Sequence, residues 1–424
     1  MIAILAVLIF VGAYILIATE RIHRTAAALG GAGLMLLIHA TDAEGAFFAE
    51  ESAIDWNVIF LLLGMMVIVG VLKPTGVFEY LAIWAARRAR GRPFRLMVLL
   101  SVITAVASAL LDNVTTVLLI APVTFVVCER LALPVAPYLL AEVFASNIGG
   151  TATLIGDPPN IIIAGSTDLS FNSFIVNLAP AVVITLGVIV GALYLVFRSR
   201  LQIDERNRDA VLELDARASI RDWDELRRSV PVLVLTILAF FAHQALHIEP
   251  ATVALTGAAV ALLITRLDLE DVLAGIEWPT LFFFVGLFVI VGALEETGAI
   301  DEVARATQDL TGGDRTAELL GIVWIAGIGS GVVDNIPFTT AMIPVVESLQ
   351  GDGLDDAYWW ALSLGACFGG NATIIAAAAN VAAAGLAERA GRPIGFMRFL
   401  AVGVPATLAS LVLATAYVAL RYIA

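Results

Sequence analysis

Asp112-Asn113-Val114-Thr115-Thr116 interrupts an apolar stretch that runs from Met97 to Cys128, and the same polar knot returns as Asp334-Asn335-Ile336-Pro337-Phe338-Thr339-Thr340. In hydrocarbon an unpaired backbone amide or a carboxylate costs several kcal/mol. Such a break survives only where protein or a water-filled cavity surrounds it. Each knot is therefore a candidate ion or substrate site.

The rest of the chain supports a hydrocarbon setting. Of its 424 residues 60% are hydrophobic and 15% charged, and the mean hydropathy of +0.93 is too high for a soluble globule. Runs such as Ile2 to Ala18, Trp56 to Leu72 and Phe174 to Phe197 are long enough to cross about 30 Å at about 1.5 Å per residue. The first run lacks a basic n-region and a small-residue cleavage site, so it reads as a retained helix. Cys128 and Cys367 both sit in apolar sequence, which argues against a disulfide scaffold, a zinc site or a thiol-based metalloid site. The net charge of −14, with Lys73 the only lysine, reads as solvated acidic loops. No basic patch supports nucleic-acid binding.

Because basic residues stay in the cytoplasm, charge assigns the loops to sides. Arg21, His23 and Arg24 follow the first span, the loop from Thr41 to Asp55 has five acids and no basic residue, and Arg87, Arg88, Arg90 and Arg92 follow the third. Both termini are thus expected outside, with the basic loops inside. Pro93 to Arg130 begins and ends near arginines, so it reads as a re-entrant hairpin with the knot at its tip. Two full crossings would leave the ends on the same side as well.

Pro137 to Ala164 is apolar at both ends and broken by a polar stretch from Ser146 to Asn160. The glycine pair and Pro158-Pro159 cannot continue a helix, the first for backbone entropy and the second for want of amide protons. The freed amides and carbonyls, with the half-helix ends, suit an ion. Residues 198–229 hold eight arginines among Asp and Glu and read as a cytoplasmic linker.

The second half repeats the first. Asp55-Trp56 matches Glu277-Trp278, Gly64 matches Gly286, and Asp112-Asn113 matches Asp334-Asn335, all at an offset of 222. Gly149-Gly150, Ala152-Thr153 and Asn160 match Gly369-Gly370, Ala372-Thr373 and Asn380 at 220. Five spans plus one hairpin per half make an odd number of crossings, so the repeats are expected to be inverted. The fold class is then an all-α polytopic membrane protein with about 10 transmembrane helices, two re-entrant hairpins and two discontinuous helices. Its parts are 1–197, the linker 198–229, and 230–424. Inverted repeats with broken helices meeting near the midplane are the architecture of secondary transporters.

The run from Gly149 to Asn160, together with the two Asp-Asn knots, resembles the ion transporter superfamily. Within it the likeness is to the branch that holds arsenite efflux permeases, NhaD-type sodium/proton antiporters and the melanosomal P protein, with dicarboxylate/sodium symporters more distant. The resemblance implies a cation site in each repeat, formed by a hairpin tip and the facing broken helix. Here Asp112 and Asp334 stand where sodium-coupled relatives carry serine.

The candidate ion- and substrate-binding residues are Asp112, Asn113, Thr115, Asn147, Gly149, Gly150, Thr151, Thr153 and Asn160. Their second-half partners are Asp334, Asn335, Thr339, Gly369, Gly370, Asn371 and Thr373. Asp112, Glu142, Asp157 and Asp334 are the carboxylates at membrane depth, and so the candidates for proton coupling. A cap on the helix that follows is the plainer role for an Asp at such a break.

The function expected is secondary active transport of a small solute or ion across the inner membrane, driven by protons or sodium. Arsenite or antimonite efflux by proton antiport comes first, then sodium/proton exchange, then organic-anion transport. A channel would need a continuous polar path. No metal-ligand spacing or Ser/His pairing suggests an enzyme, and no cofactor is expected. The absence of a Gly-Lys-Ser phosphate loop means that ATP would have to come from a partner ATPase subunit. A homodimer stays open.

Overall fold

The structure is a computed structural model and describes residues 2–19, 21–49, 54–201, 215–298, 313–350 and 356–423. Among these the regular backbone is all helical. The first half runs α1 (Ile2–Thr19), α2 (Arg24–Leu37), α3 (Trp56–Leu72), α4 (Val77–Ala89), α5 (Pro93–Leu110), α6 (Asn113–Arg130), α7 (Val135–Gly150), α8 (Pro158–Gly165) and α9 (Phe171–Phe197). The second runs α10 (Trp223–Leu246), α11 (Pro250–Ile264), α12 (Trp278–Glu296), α13 (Arg315–Val332), α14 (Asn335–Gln350), α15 (Ala357–Gly369), α16 (Ala378–Arg389) and α17 (Phe396–Val418).

Helix starts are fixed by short acids. The Asp55 carboxylate accepts the amides of Asn57 and Val58 at 2.8 and 3.1 Å. Asp222 caps α10 through Asp224 and Glu225, and Asp314 caps α13 through Thr316. Each cap satisfies donors that a helix start leaves open, and is worth about 1 kcal/mol.

Seven helices among the described residues are long and apolar enough to cross a bilayer, and α1, α2 and α11 are shorter apolar helices. The seven include α5 and α6, at 18 residues each, so each arm of the first hairpin reaches about 27 Å. The chain is therefore a polytopic membrane protein.

Burial separates centre from rim. The spans of α3 and α12 are 67% buried within the protein, that of α10 only 28%, so α3 and α12 form the middle and α10 faces lipid. Their packing crosses between halves, α3 lying on α11 and α12 on α2. A Cβ at Gly64 would stand 2.7 Å from the Ala254 backbone, and one at Gly286 2.6 Å from that of Ala28. Only glycine lets these backbones approach so closely. The first arm of each hairpin packs within its own half, α5 on α7 and α13 on α15, while the return arms reach across, α6 onto α16 and α14 onto α8. In the first-arm contacts Gly149 abuts Ala105 and Gly369 abuts Gly327 in the same way.

The stretch expected as a linker differs from that expectation at its far end. Helix α10 already begins at Trp223. Before it, the amide of Arg221 donates to the Thr75 carbonyl at 2.9 Å, and its guanidinium lies 3.3 Å from Glu79. The Ser219 carbonyl occupies the space a side chain at Gly76 would need. Polar, arginine-rich composition concealed this docking because its partners lie more than 140 residues earlier. Residues 202–214 of the same stretch lie outside the described residues.

Candidate ion-binding site

Two helices stop inside the protein. Helix α7 ends at Gly150 and α8 begins at Pro158, while α15 ends at Gly369 and α16 begins at Ala378. The carbonyls freed by each break are taken up by one asparagine. Asn160 Nδ2 donates to Thr151 O and Thr153 O at 2.9 and 2.8 Å. Asn380 Nδ2 donates to Gly370 O and Thr373 O, both at 2.7 Å. Threonine hydroxyls then pin each break to its own hairpin, Thr153 to Ala109 O and Thr373 to Gly331 O.

Asp157 occupies the N-cap position of α8 but makes no cap bond with its side chain. The reason is in the sequence: Pro158 and Pro159 fill the first two helical positions and have no amide proton to offer. The carboxylate turns instead to the hairpin tips. Its Oδ1 accepts from Asn113 Nδ2 at 3.2 Å and from Asn335 Nδ2 at 3.1 Å, so both hairpins meet on one oxygen. Asp157 is fully buried, and its Oδ2 has no hydrogen-bond partner among the described residues. A buried carboxylate left so must have its charge balanced by a proton or a cation.

Around this oxygen the amides form a chain. Asn113 Nδ2 reaches Asn147 Oδ1 at 3.5 Å, and Asn147 Nδ2 donates to Asn371 Oδ1 and Asn380 Oδ1, both at 3.0 Å. Asn371 Nδ2 is buried and has no partner among the described residues. Ser363 donates to Asn160 Oδ1 at 2.6 Å, and Ser146 to Asn113 O at 3.0 Å.

The remaining candidates take other places. Asp112 accepts the Thr115 amide at 2.7 Å and Asp334 that of Ile336 at 3.0 Å, so both cap their return arms. The Thr151 and Thr339 hydroxyls bond back to Asn147 O and Asn335 O within their own helices. Gly150 packs on the Gly156 backbone, and Gly370 near Cys367 O. Glu142 accepts from the Thr124 hydroxyl, and its other oxygen is buried with no partner among the described residues. It has no bond to the Asp157 group.

Sequence reasoning missed Arg24, whose Nη1 lies 3.5 Å from Asp334 Oδ2. It also missed Tyr14, whose hydroxyl donates to Pro337 O at 2.6 Å. In sequence Arg24 reads only as one of the basic residues that mark the inner side. The signal that could have found it is a break in the repeat, since α2 begins at Arg24 where α11 begins at Pro250.

Two cavities flank the site. One of about 750 Å³ is lined by Asp55, Asp168, Glu295 and Glu347, with no basic side chain among its described lining. The other, about 20 Å³, is bounded by Arg24, Asp112, Asn113, Glu277 and Asn335.

The profile of the family described as "Citrate transporter" matches residues 14–365. An uncharacterized transporter of Mycobacterium tuberculosis is 50% identical over 424 residues, covering 99% of both chains. The human P protein is 32% identical, covering 99% of this chain and 60% of that protein. Among solved structures, the YdaH transporter of Alcanivorax borkumensis superposes with a TM-score of 0.53 at 16% identity, over 87% of this chain and 85% of that one. This last likeness is one of fold.

Proposed function

The chain belongs to the citrate transporter family of the ion transporter superfamily, and on that premise we propose that it is a secondary active transporter in which Asp157 binds and releases the coupling proton or cation. One observation carries this reading: Asp157 Oδ1 holds the asparagines of both hairpin tips while Oδ2 has no hydrogen-bond partner among the described residues. Binding at Oδ2 alters the charge of the one oxygen pair that both hairpins grip, so occupancy and hairpin position are linked. One charge moved through 100 mV is worth about 2.3 kcal/mol, enough for roughly fifty-fold accumulation of a solute.

The lining charges favour an uncharged or cationic cargo. Four carboxylates around the larger cavity repel a di- or tricarboxylate and attract a cation. Neutral arsenite or antimonite moving outward against protons is the first assignment, and sodium/proton exchange the second. Citrate-like anions rank last, despite the family's name. The larger cavity lies at the end that charge assigns to the outside, so this conformation faces outward across the inner membrane.

The test is flux in proteoliposomes under an imposed pH gradient, with arsenite, sodium and citrate supplied in turn, for the native protein and Asp157→Asn. Loss of gradient-driven flux of one cargo in the variant, with expression kept, is expected. Equal flux in both proteins would remove Asp157 from the coupling step.

A further inference from the structure

The two hairpin tips carry the same Asp-Asn pair, yet the charges set beside them differ. The first broken helix supplies a carboxylate at Asp157, whereas the corresponding position 220 residues on is Ala377. The second tip has a partner that the first lacks, and it comes from α2 of the first half. Arg24 places Nη1 3.5 Å from Asp334 Oδ2, with its guanidinium carbon 5.4 Å above the Phe283 ring. Asp334 is only 7% exposed, and among the described residues no basic side chain is paired with Asp112.

From this we infer that Arg24 is a built-in cation that fills the second ion position, so that one exchangeable proton or metal cation, at Asp157, drives each cycle. The inference rests on the coupling role proposed above for Asp157. Arg24 suits a permanent counter-ion. A guanidinium is weakly hydrated and stacks on aromatic rings, and Arg24 is tethered to the chain, whereas a diffusible ion at the same carboxylate would leave when the site opened.

The fold does not require the arginine. The Gly286–Ala28 and Gly64–Ala254 crossings pair α2 with α11 in register, and that register sets Pro250 in Arg24's place. The crossing is thus built equally well without the charge. Tyr14 from α1 and Asp157 face the pair on the side of Asp334, and Glu277 at the start of α12 faces it on the side of Arg24, with Asp112 and Lys73 next to Glu277 in turn. Glu277 borders the same small cavity as Arg24, so the guanidinium has a second carboxylate within the site when the second hairpin moves. Tyr14 on Pro337 O strengthens the hold on the same tip.

The experiment counts cations on the purified full chain in lipid nanodiscs. Radioactive sodium bound at saturation and the infrared band of protonated carboxyl groups are measured for the native protein, Arg24→Gln, Arg24→Lys and the double variant Arg24→Gln/Asp334→Asn. Arg24→Gln should gain one sodium or one protonated carboxyl per chain. The double variant, in which both charges are gone, should lose that gain, and Arg24→Lys should match the native count.

No gain in Arg24→Gln, or a gain that persists in the double variant, overturns the inference. Should Arg24→Gln fail to fold, folding restored by high sodium or low pH supports it, and failure under both counts against it. Asp157→Asn separates the two readings. If it keeps the native count while Arg24→Gln still gains one, the coupling role fails and the built-in cation stands.

Discussion

The two halves share a backbone plan but divide the chemistry unequally. On the first broken helix Glu142, Ser146, Asn147 and Asp157 are polar; at the corresponding positions of the second stand Leu362, Ala366, Cys367 and Ala377. What both keep is mechanical: the Asn160 and Asn380 staples, the threonines that dock each break, and the close glycine crossings. Repetition therefore preserves what opens the helices, while both buried carboxylates of the broken helices, Glu142 and Asp157, belong to the first. The site is asymmetric inside a nearly symmetric frame.

The comparison breaks most completely if the halves are not inverted. Cys128 and Cys367 are buried, so added cysteines report against a low background. A cysteine at Glu44 should react with an impermeant thiol reagent in intact cells, and one at Asp215 only after permeabilisation. Labelling of both from outside would refute opposite insertion of the halves.

Next in size is Asp157→Asn, for which gradient-driven flux should fall by roughly 100-fold, about 3 kcal/mol at a charged site. By contrast Ala377→Ser, at the matching position, should leave flux within a few-fold. A comparable loss in both would mean that the two breaks contribute alike.

Smaller effects sharpen the shared frame. Gly64→Ala and Gly286→Ala each drive a methyl into a facing backbone and should cost about 1–3 kcal/mol of stability. Matched falls in melting temperature in detergent are expected, and a cost confined to one would show that the central crossings are not equivalent.

The smallest effect concerns Asp55, just before α3. Burial, with a lesser push from Glu249, holds its carboxyl above the usual carboxylate range against the pull of the Val58 and Asn57 amides. A raised value means that the folded state keeps the proton longer than the unfolded chain. The stability this group lends is full below the ordinary carboxylate range and is lost as pH rises through the raised value. Asp55→Asn, which keeps the cap acceptor, should gain on the native protein as pH climbs toward neutrality. A constant difference at all pH values would contradict this.

The hairpins, the broken helices and the pairing of Asp112 with Asp334 were legible because each is a local violation, polar residues where hydrocarbon demands apolar ones. Glu142 and Asp157 were visible for the same reason, but not their different surroundings. That Asp157 gathers both hairpins depends on Asn335, 178 residues away. The cross-packing of α3 and α12 left no trace in pattern, because helices apolar on every side present no marked face. Arg24 was hidden by a sufficient explanation of another kind, that arginines mark the cytoplasmic side.

The interlock of α3 with α11 also has a consequence for biosynthesis. Gly64 and Ala254 touch, yet at about 5–20 residues per second the ribosome delivers the second roughly 10–40 s after the first. During that interval the notch at Gly64 waits in the bilayer beside lipid or the insertion machinery. Maturation must then include a late threading step, in which helices of the nascent second half slot between those already inserted. Two separately made halves would complement one another only if they met before either had closed that notch with a second copy of itself.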